Sequence, residues 1–454
     1  MLPILGRSPA SRVAHSDATL DAAELLARAR SAARLLRPGS RVALDGGNAL
    51  TRLTHFLGAD LAGCATLLLE PTWTERERSA VLVDAAPHLV LDLADGAVSR
   101  EIAPAHALPT PISRETSQHP PRNAPFYLPT TSGSSGRPKV LIRSRDSWLR
   151  SFEALDLGLT QQDRVLIPGP LSSSLFLFGA LHALHAGADV HLLDRWSAHD
   201  AATAARHATA VHLVPAMLAA LLSTLERDPV LRAECSLRVV VCAGARVDLE
   251  LEERLGKVLP GCELVEYYGS AEHSLIAVRR GGRLRPVVDV EVRDTELLVR
   301  SALIFDGYLE SGALVPPSTD QGWSAVGDRA ILHEDGSLEI LGRASAVINT
   351  GARLVGAEEV ESVLRGADGV LDVLVSATPH PRFGELVTAV VEVDPAARPS
   401  RRDLRARARQ SLEPAKRPRR WLAVRELPRT ASGKPARALV AEQLRAGSFE
   451  AEAL

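Results

Sequence analysis

Aromatic residues are scarce in this chain: Phe, Trp and Tyr make up 4% of its 454 positions. They do not interleave with basic residues, so the chain carries no stretch that reads as a base-stacking surface for single-stranded nucleic acid. An excess of one charge is missing too. Fifty-three Lys and Arg stand against 55 Asp and Glu, a formal net charge of −2, which gives no bulk attraction to nucleic acid or anionic membrane. Cysteine is rare: Cys64, Cys235, Cys242 and Cys262 show no C-x-x-C spacing, the pattern of reduced, mostly buried thiols rather than a zinc site. The most apolar long stretch, residues 171–193, is interrupted by His182, His185, Asp189 and His191, so a membrane span is not expected. Those histidines read as packing or surface residues, since no Glu or Cys completes a zinc pattern. The opening M-L-P-I-L-G-R-S-P-A lacks a basic region followed by a long apolar run. No signal peptide is expected from it, and the location predicted is cytoplasmic.

What is present is the mix of a globular protein with a sizeable core, 46% hydrophobic and 24% charged. The length suggests two or three domains. Residues 17–37 read as an amphipathic helix stopped by Pro38-Gly39. A short apolar strand at 42–44, Gly46-Gly47, a helix to about residue 62 and a second apolar run at 66–69 make a βαβ unit. Further apolar runs at 165–167, 190–193, 211–214, 238–242 and 264–267 alternate with helical segments. That alternation predicts an α/β fold with doubly wound, mainly parallel sheets. From about residue 283 short alternating strands (288–292, 296–300, 329–332, 338–341) predict a smaller antiparallel barrel or sheet. The composition changes again after Gly342. Residues 398–445 hold 15 Lys/Arg against 4 Asp/Glu, either a solvated basic face or a docking surface for an anionic partner.

Five stretches carry chemistry. Residues 127–139, Y-L-P-T-T-S-G-S-S-G-R-P-K, cluster Thr131, Ser132, Ser134 and Ser135 around Gly133 and Gly136, with Lys139 three positions on. A strand, a Gly/Ser/Thr loop and a helix form a phosphate cradle, since glycine lets backbone N–H groups approach oxygens and lysine neutralises charge. The spacing is not that of the common P-loop, because Pro138 precedes Lys139 and Val140 follows it. The others are L-V-E-Y-Y-G-S-A-E-H-S at 264–274, W-S-A-V-G-D-R-A-I-L-H-E-D-G-S-L-E-I-L-G-R at 323–343, R-A-S-A-V-I-N-T-G-A-R-L-V-G-A-E-E-V-E at 343–361 and L-P-R-T-A-S-G-K-P-A-R at 427–437. Singly, each could be a plain turn or strand end.

In this order and over nearly the whole chain, the set resembles the adenylate-forming superfamily of acyl-CoA synthetases, peptide-synthetase adenylation domains and luciferase. The runs P-K-V-L-I-R-S-R-D-S-W-L-R-S-F and P-G-P-L-S-S-S-L-F-L-F look most like small bacterial fatty-acyl-CoA synthetases. The resemblance implies an N-terminal AMP-binding domain over 1–342, a hinge at 343–346 and a small mobile α+β lid at 347–454. It implies that Thr131–Gly136 with Lys139 wrap the ATP phosphates and that Gly244 and Ala245 floor the adenine site. Tyr268, followed by Gly269, would stack on adenine. Glu272 would hold Mg²⁺, and Asp328 with Arg343 would bind the ribose. Lys434 would be the catalytic lysine, stabilising charge at the reacting phosphorus. Ser173, Phe176, Phe178 and Met217 would line the acyl pocket.

The reaction implied joins a fatty or other hydrophobic acid to ATP, with release of pyrophosphate, and passes the acyl group to CoA. Loading of a carrier protein's phosphopantetheine is the alternative acceptor. A catalytically decayed nucleotide-binding or scaffold protein is the alternative of another class. Departures from the family pattern are Ala271 where a Thr commonly stands, Ser345 for the hinge Asp and Ala352 for a glycine of the thiol channel.

Overall fold

The computed structural model describes residues 2–6, 11–16, 18–94, 99–101, 123–132, 138–343, 347–350, 353–380, 384–430 and 433–454. Two nine-stranded sheets form its larger part. In the first, strands Arg41–Asp45, Ala65–Leu68 and Leu89–Asp92 run parallel, Arg41 facing Ala65 and Val42 facing Leu89. Helix Ala49–Leu61 makes the crossover, started by the Asn48 side chain, which accepts the Thr51 N–H. This is the expected βαβ unit. Gly46 and Gly47 form a tight turn with positive φ, and a Cβ on Gly47 would lie 2.7 Å from that of Leu93.

In the second sheet, Asp189–Leu192, Arg164–Ile167, Ala210–Leu213, Val239–Ala243 and Glu263–Ser270 lie side by side in parallel. All five residues of Val239–Ala243 are buried, as a strand covered on both faces requires. One apolar cluster joins both sheets and includes Phe56, Phe126, Trp148, Phe152 and Phe176. Strands Asp289–Arg293, Glu296–Arg300, Ser324–Leu332 and Leu338–Arg343 form a four-stranded antiparallel sheet with their own small core. Residues beyond 346 build a six-stranded sheet and three helices around separate apolar clusters. Among the described residues no helix is long and apolar enough to cross a membrane.

Two expectations need correction. The first helix occupies Ala22–Ala33 rather than 17–37, because Asp21 closes a capping box with Glu24 and Ala18–Leu20 pairs with Val13–His15 as a strand. The phosphate-loop motif is also not strand, loop and helix. Thr130–Ser132 and Pro138–Ser144 are antiparallel arms, Thr131 opposite Lys139, and helix Arg145–Ala154 starts only after the Ser144 cap. The run V-L-I-R-S keeps the chain extended, its Val and Ile favouring strand.

The basic C-terminal stretch divides by function in the fold. Arg401, Arg402, Arg405 and Arg409 are exposed on helix Arg401–Ser411, whereas Arg407, Arg417, Arg429 and Arg437 bond carbonyls or carboxylates of their own unit.

Candidate active site

The site lies where several strands of the second sheet end. Strand Glu263–Ser270 shifts register between Tyr268 and Gly269. A Cβ on Gly269 would lie 1.8 Å from the Ser274 carbonyl oxygen, so only glycine fits this turn. The turn delivers Tyr268 and Glu272 to one region. The Tyr268 hydroxyl donates to the buried Asp328 carboxylate on strand Ser324–Leu332. Asp328 lies opposite the backbone of Arg343 on the neighbouring strand. The expected adenine and ribose residues are thus neighbours, although they stand 60 positions apart.

Half-buried Glu272 accepts a 3.1 Å hydrogen bond at Oε1 from the Tyr308 hydroxyl. The ammonium of exposed Lys139 sits over the same Tyr308 ring, 5.0 Å from its centroid. Tyr308 therefore joins Lys139 to the Glu272 carboxylate. The sequence reading missed it, and no spacing marks it out.

Arg143 was missed as well. It is 2% exposed; its Nη1 donates to the Ala271 carbonyl at 2.7 Å and to that of Glu272 at 3.3 Å. Nη2 donates to Ser147 Oγ at 3.1 Å and to the Leu303 carbonyl. Burial lowers its pKa to about 10, against the opposing pull of Asp306 and Glu272, so it stays charged at neutral pH. The signal that could have found it is an arginine directly after the apolar run V-L-I of its strand.

The fit of a divalent cation follows from this donor set. Among the described residues no group of three or more His, Cys, Asp or Glu forms a metal cage. A single carboxylate beside the arms expected to hold phosphate suits magnesium, which takes one or two carboxylates and completes its shell with substrate phosphate oxygens and water. Glu272 fits that role.

Gly244 follows the buried strand Val239–Ala243 with φ +87. A Cβ built there would lie 2.2 Å from Cε of Lys434 and 2.7 Å from its ammonium nitrogen. The lysine lies directly against this glycine. Its loop is tight: the Thr430 N–H donates to the Lys434 carbonyl at 2.7 Å, and the Gly433 N–H to the Thr430 carbonyl at 2.8 Å. Gly433 has φ +80, and a Cβ on it would stand 2.9 Å from Met217 Cε and 3.4 Å from Val214 Cγ2. Arg429 braces the loop by donating to the Gly433 carbonyl at 3.1 Å, to Asp372 at 3.0 Å and to Glu392 at 2.7 Å. Burial opposes its charge, yet the two carboxylates hold its pKa above the ordinary value.

Of the remaining predicted residues, Ala245 is exposed beside Gly244 and Thr131 is half-buried on the hairpin. Ser132 is described by its backbone, as is Arg343; Gly133, Ser134, Ser135 and Gly136 lie outside the described residues, with Ser345 and Ala352. Met217 is brought to the lysine loop. Ser173 precedes helix Ser174–Ala186 without capping it. Phe176 is buried, a Cβ on Gly169 falling 2.1 Å from its ring. Phe178 is buried among Trp148, Phe152 and Tyr267.

Known proteins bear on this arrangement as follows. A family model described as AMP-binding enzyme matches residues 6–309, and its C-terminal domain model matches residues 359–434. The uncharacterized acyl-CoA ligase YhfT of Bacillus subtilis is 30% identical over 446 residues, 89% of this chain and 88% of that protein. The medium-chain acyl-CoA ligase Mig of Mycobacterium avium is 29% identical, covering 79% of this chain and 73% of its own. An ATP-bound RpMatB–BxBclM chimera has the same fold, with a TM-score of 0.83 over 99% of this chain and all of its own at 21% identity.

Proposed function

The chain belongs to the AMP-binding enzyme family, and from that premise we propose that it is a carboxylic acid–thiol ligase acting in the cytoplasm. It activates a fatty or other hydrophobic acid as the acyl adenylate, releases pyrophosphate, and transfers the acyl group to the thiol of CoA. The observation that carries this reading is the contact of Lys434 with Gly244. It sets a cation from the C-terminal unit at the strand end where the nucleotide residues gather.

The division of work follows from the side chains. Gly244 and Ala245 would floor the adenine site, with Tyr268 as the stacking ring. Asp328 accepts hydrogen bonds from the ribose hydroxyls, and Arg343, across the strand pair, adds a fixed cation near the hinge at 343–346. The hairpin Thr131–Lys139 holds the β- and γ-phosphates and releases them as pyrophosphate. Glu272 is the residue that would hold magnesium, which when bound screens phosphate charge. As the acid's carboxylate oxygen forms its bond to the α-phosphorus and the bond to pyrophosphate breaks, negative charge collects on the equatorial oxygens. Lys434 meets that charge, already in place on its braced loop, without moving a proton.

Rotation about 343–346 would then withdraw Lys434 and bring residues 343–351 to the thiol. Exposed Arg401, Arg402, Arg405 and Arg409 suit the phosphates of CoA, and equally an acidic carrier protein as second acceptor. The test is acid-dependent ATP–pyrophosphate exchange across a panel of carboxylic acids, followed by single-turnover transfer to CoA and to carrier proteins. Exchange that ignores the acid, or that survives Lys434→Ala at the wild-type rate, sinks the proposal.

A further inference from the structure

Buried polar groups in a native fold are almost always partnered, and each exception asks for a reason. His212, inside strand Ala210–Leu213, is 0% exposed, and neither ring nitrogen has a hydrogen-bond partner among the described residues. His182, on helix Ser174–Ala186, is 4% exposed, and its Nδ1 is in the same state. Burial lowers the pKa of His212 to about 3 and that of His182 to about 4, with neighbouring histidines adding to each shift. Both rings are therefore neutral, each with one N–H donor and one acceptor nitrogen.

Their place in the fold ties them to the reacting end. A Cβ on Gly179 would lie 2.8 Å from Cγ of His212, so this ring presses on the helix backbone one turn before His182. His212 is in register with Val241, and Val241 with Val265. Tyr267, two residues beyond Val265, shares that face and lies 6.2 Å from Phe178 of the same helix. The helix thus roofs the sheet face that carries His212. Val214, two positions after His212, continues this face and borders Gly433 beside Lys434. At a rise of about 3.3 Å per residue, His212 lies roughly 7 Å deeper than Val214. His212, with His182 one turn along the covering helix from Gly179, thus lies behind Val214 on the face that leads to the lysine loop.

We propose that His212 and His182 form the far wall of the acid site and read a neutral hydrogen-bonding group, a hydroxyl in the simplest case, at the distal end of the carboxylic acid. This rests on the acid–thiol ligase reading above. A plain alkyl end would leave both rings unmatched, and two neutral imidazoles offer a second carboxylate no opposite charge.

The experiment measures pyrophosphate release with straight-chain acids of four to ten carbons, each with and without a terminal hydroxyl, and with phenylpropanoic acid and its 4-hydroxy form. The expected result is one length or ring pair at which the hydroxylated acid exceeds its partner at least tenfold in kcat/KM. His212→Leu should reverse that preference, His182→Leu should weaken it, and KM for ATP should not move. No preference at any length in the wild type, or a ratio unchanged in His212→Leu, overturns the inference while leaving the ligase reading intact. Absence of acid-dependent release with every acid overturns both. If either variant fails to fold, the wild-type comparison decides alone.

Discussion

Lys139 and Lys434, the two lysines assigned to the phosphates, are held in opposite ways. Lys139 is exposed on one arm of a hairpin, its ammonium above the face of Tyr308. Lys434 is half-buried on a loop closed by its own backbone bonds, braced by Arg429 and pressed on Gly244. Arg429 in turn is fixed by Asp372 and Glu392. The contrast matches the work proposed for each. A cation that stabilises charge at the bond being made gains from being placed in advance. A cation that grips a departing pyrophosphate must also let go.

The largest effect expected is at the fixed lysine. Lys434→Ala should lower ATP–pyrophosphate exchange by roughly 10²–10³-fold, the size seen when one preorganised charge-stabilising donor is lost. Lys139→Ala should cost about tenfold, mostly as a raised KM for ATP, since it removes one exposed cation from a polyanion site. Equal losses at the two positions would break the comparison.

Gly244→Ala tests the contact without touching a charge. The new Cβ would overlap Lys434, and at φ +87 a non-glycine residue is strained by about 1–2 kcal/mol. Exchange should fall by roughly 30–100-fold as the ammonium is displaced, with only a small fall in the thermal midpoint. A large loss of midpoint with normal exchange would mean that the contact serves folding rather than position.

Arg429→Met removes the brace. Exchange should drop by about 10–30-fold with KM for ATP unchanged, and the C-terminal unit should lose about 1–3 kcal/mol, because half-buried Glu392 loses its arginine while Asp372 keeps the 3.3 Å contact with Arg365. Arg429→Lys should restore stability better than rate, since a lysine cannot reach three acceptors in the geometry of a guanidinium.

These residues also mark the limit of what the sequence made legible. The parallel sheets were readable because buried strands are continuous apolar runs, and Val239–Ala243 is one. Gly244, Tyr268, Glu272, Asp328 and Lys434 were singled out through the motifs of the family resemblance, and the structure brings Tyr268 to Asp328 and Lys434 to Gly244. Arg143 and Tyr308 were not singled out. Arg143 reaches carbonyls 128 and 129 positions away, and Tyr308 a carboxylate 36 positions away. A backbone carbonyl leaves no mark in the sequence at all. The phosphate hairpin was misread for a related reason: a Gly/Ser loop shows that the chain turns, while the β-branched run after it decides between strand and helix. Arg429 stood inside a quoted motif, yet its carboxylates come from two other strands.

Tyr308 is where the two halves of the comparison can be separated most finely, because its ring serves Lys139 and its hydroxyl serves Glu272. Tyr308→Phe deletes the hydroxyl and leaves the ring. The bond to a carboxylate is half-buried and 3.1 Å long, worth about 1 kcal/mol net, so the magnesium concentration for half-maximal exchange should rise by about fivefold. KM for ATP should barely change, because the cation keeps its aromatic support. Tyr308→Ala should raise both, and the part beyond Tyr308→Phe should vanish in a Lys139→Ala background. A Tyr308→Phe variant with the wild-type magnesium response would show that the hydroxyl only fills space, and that Arg143 alone holds the Glu272 turn.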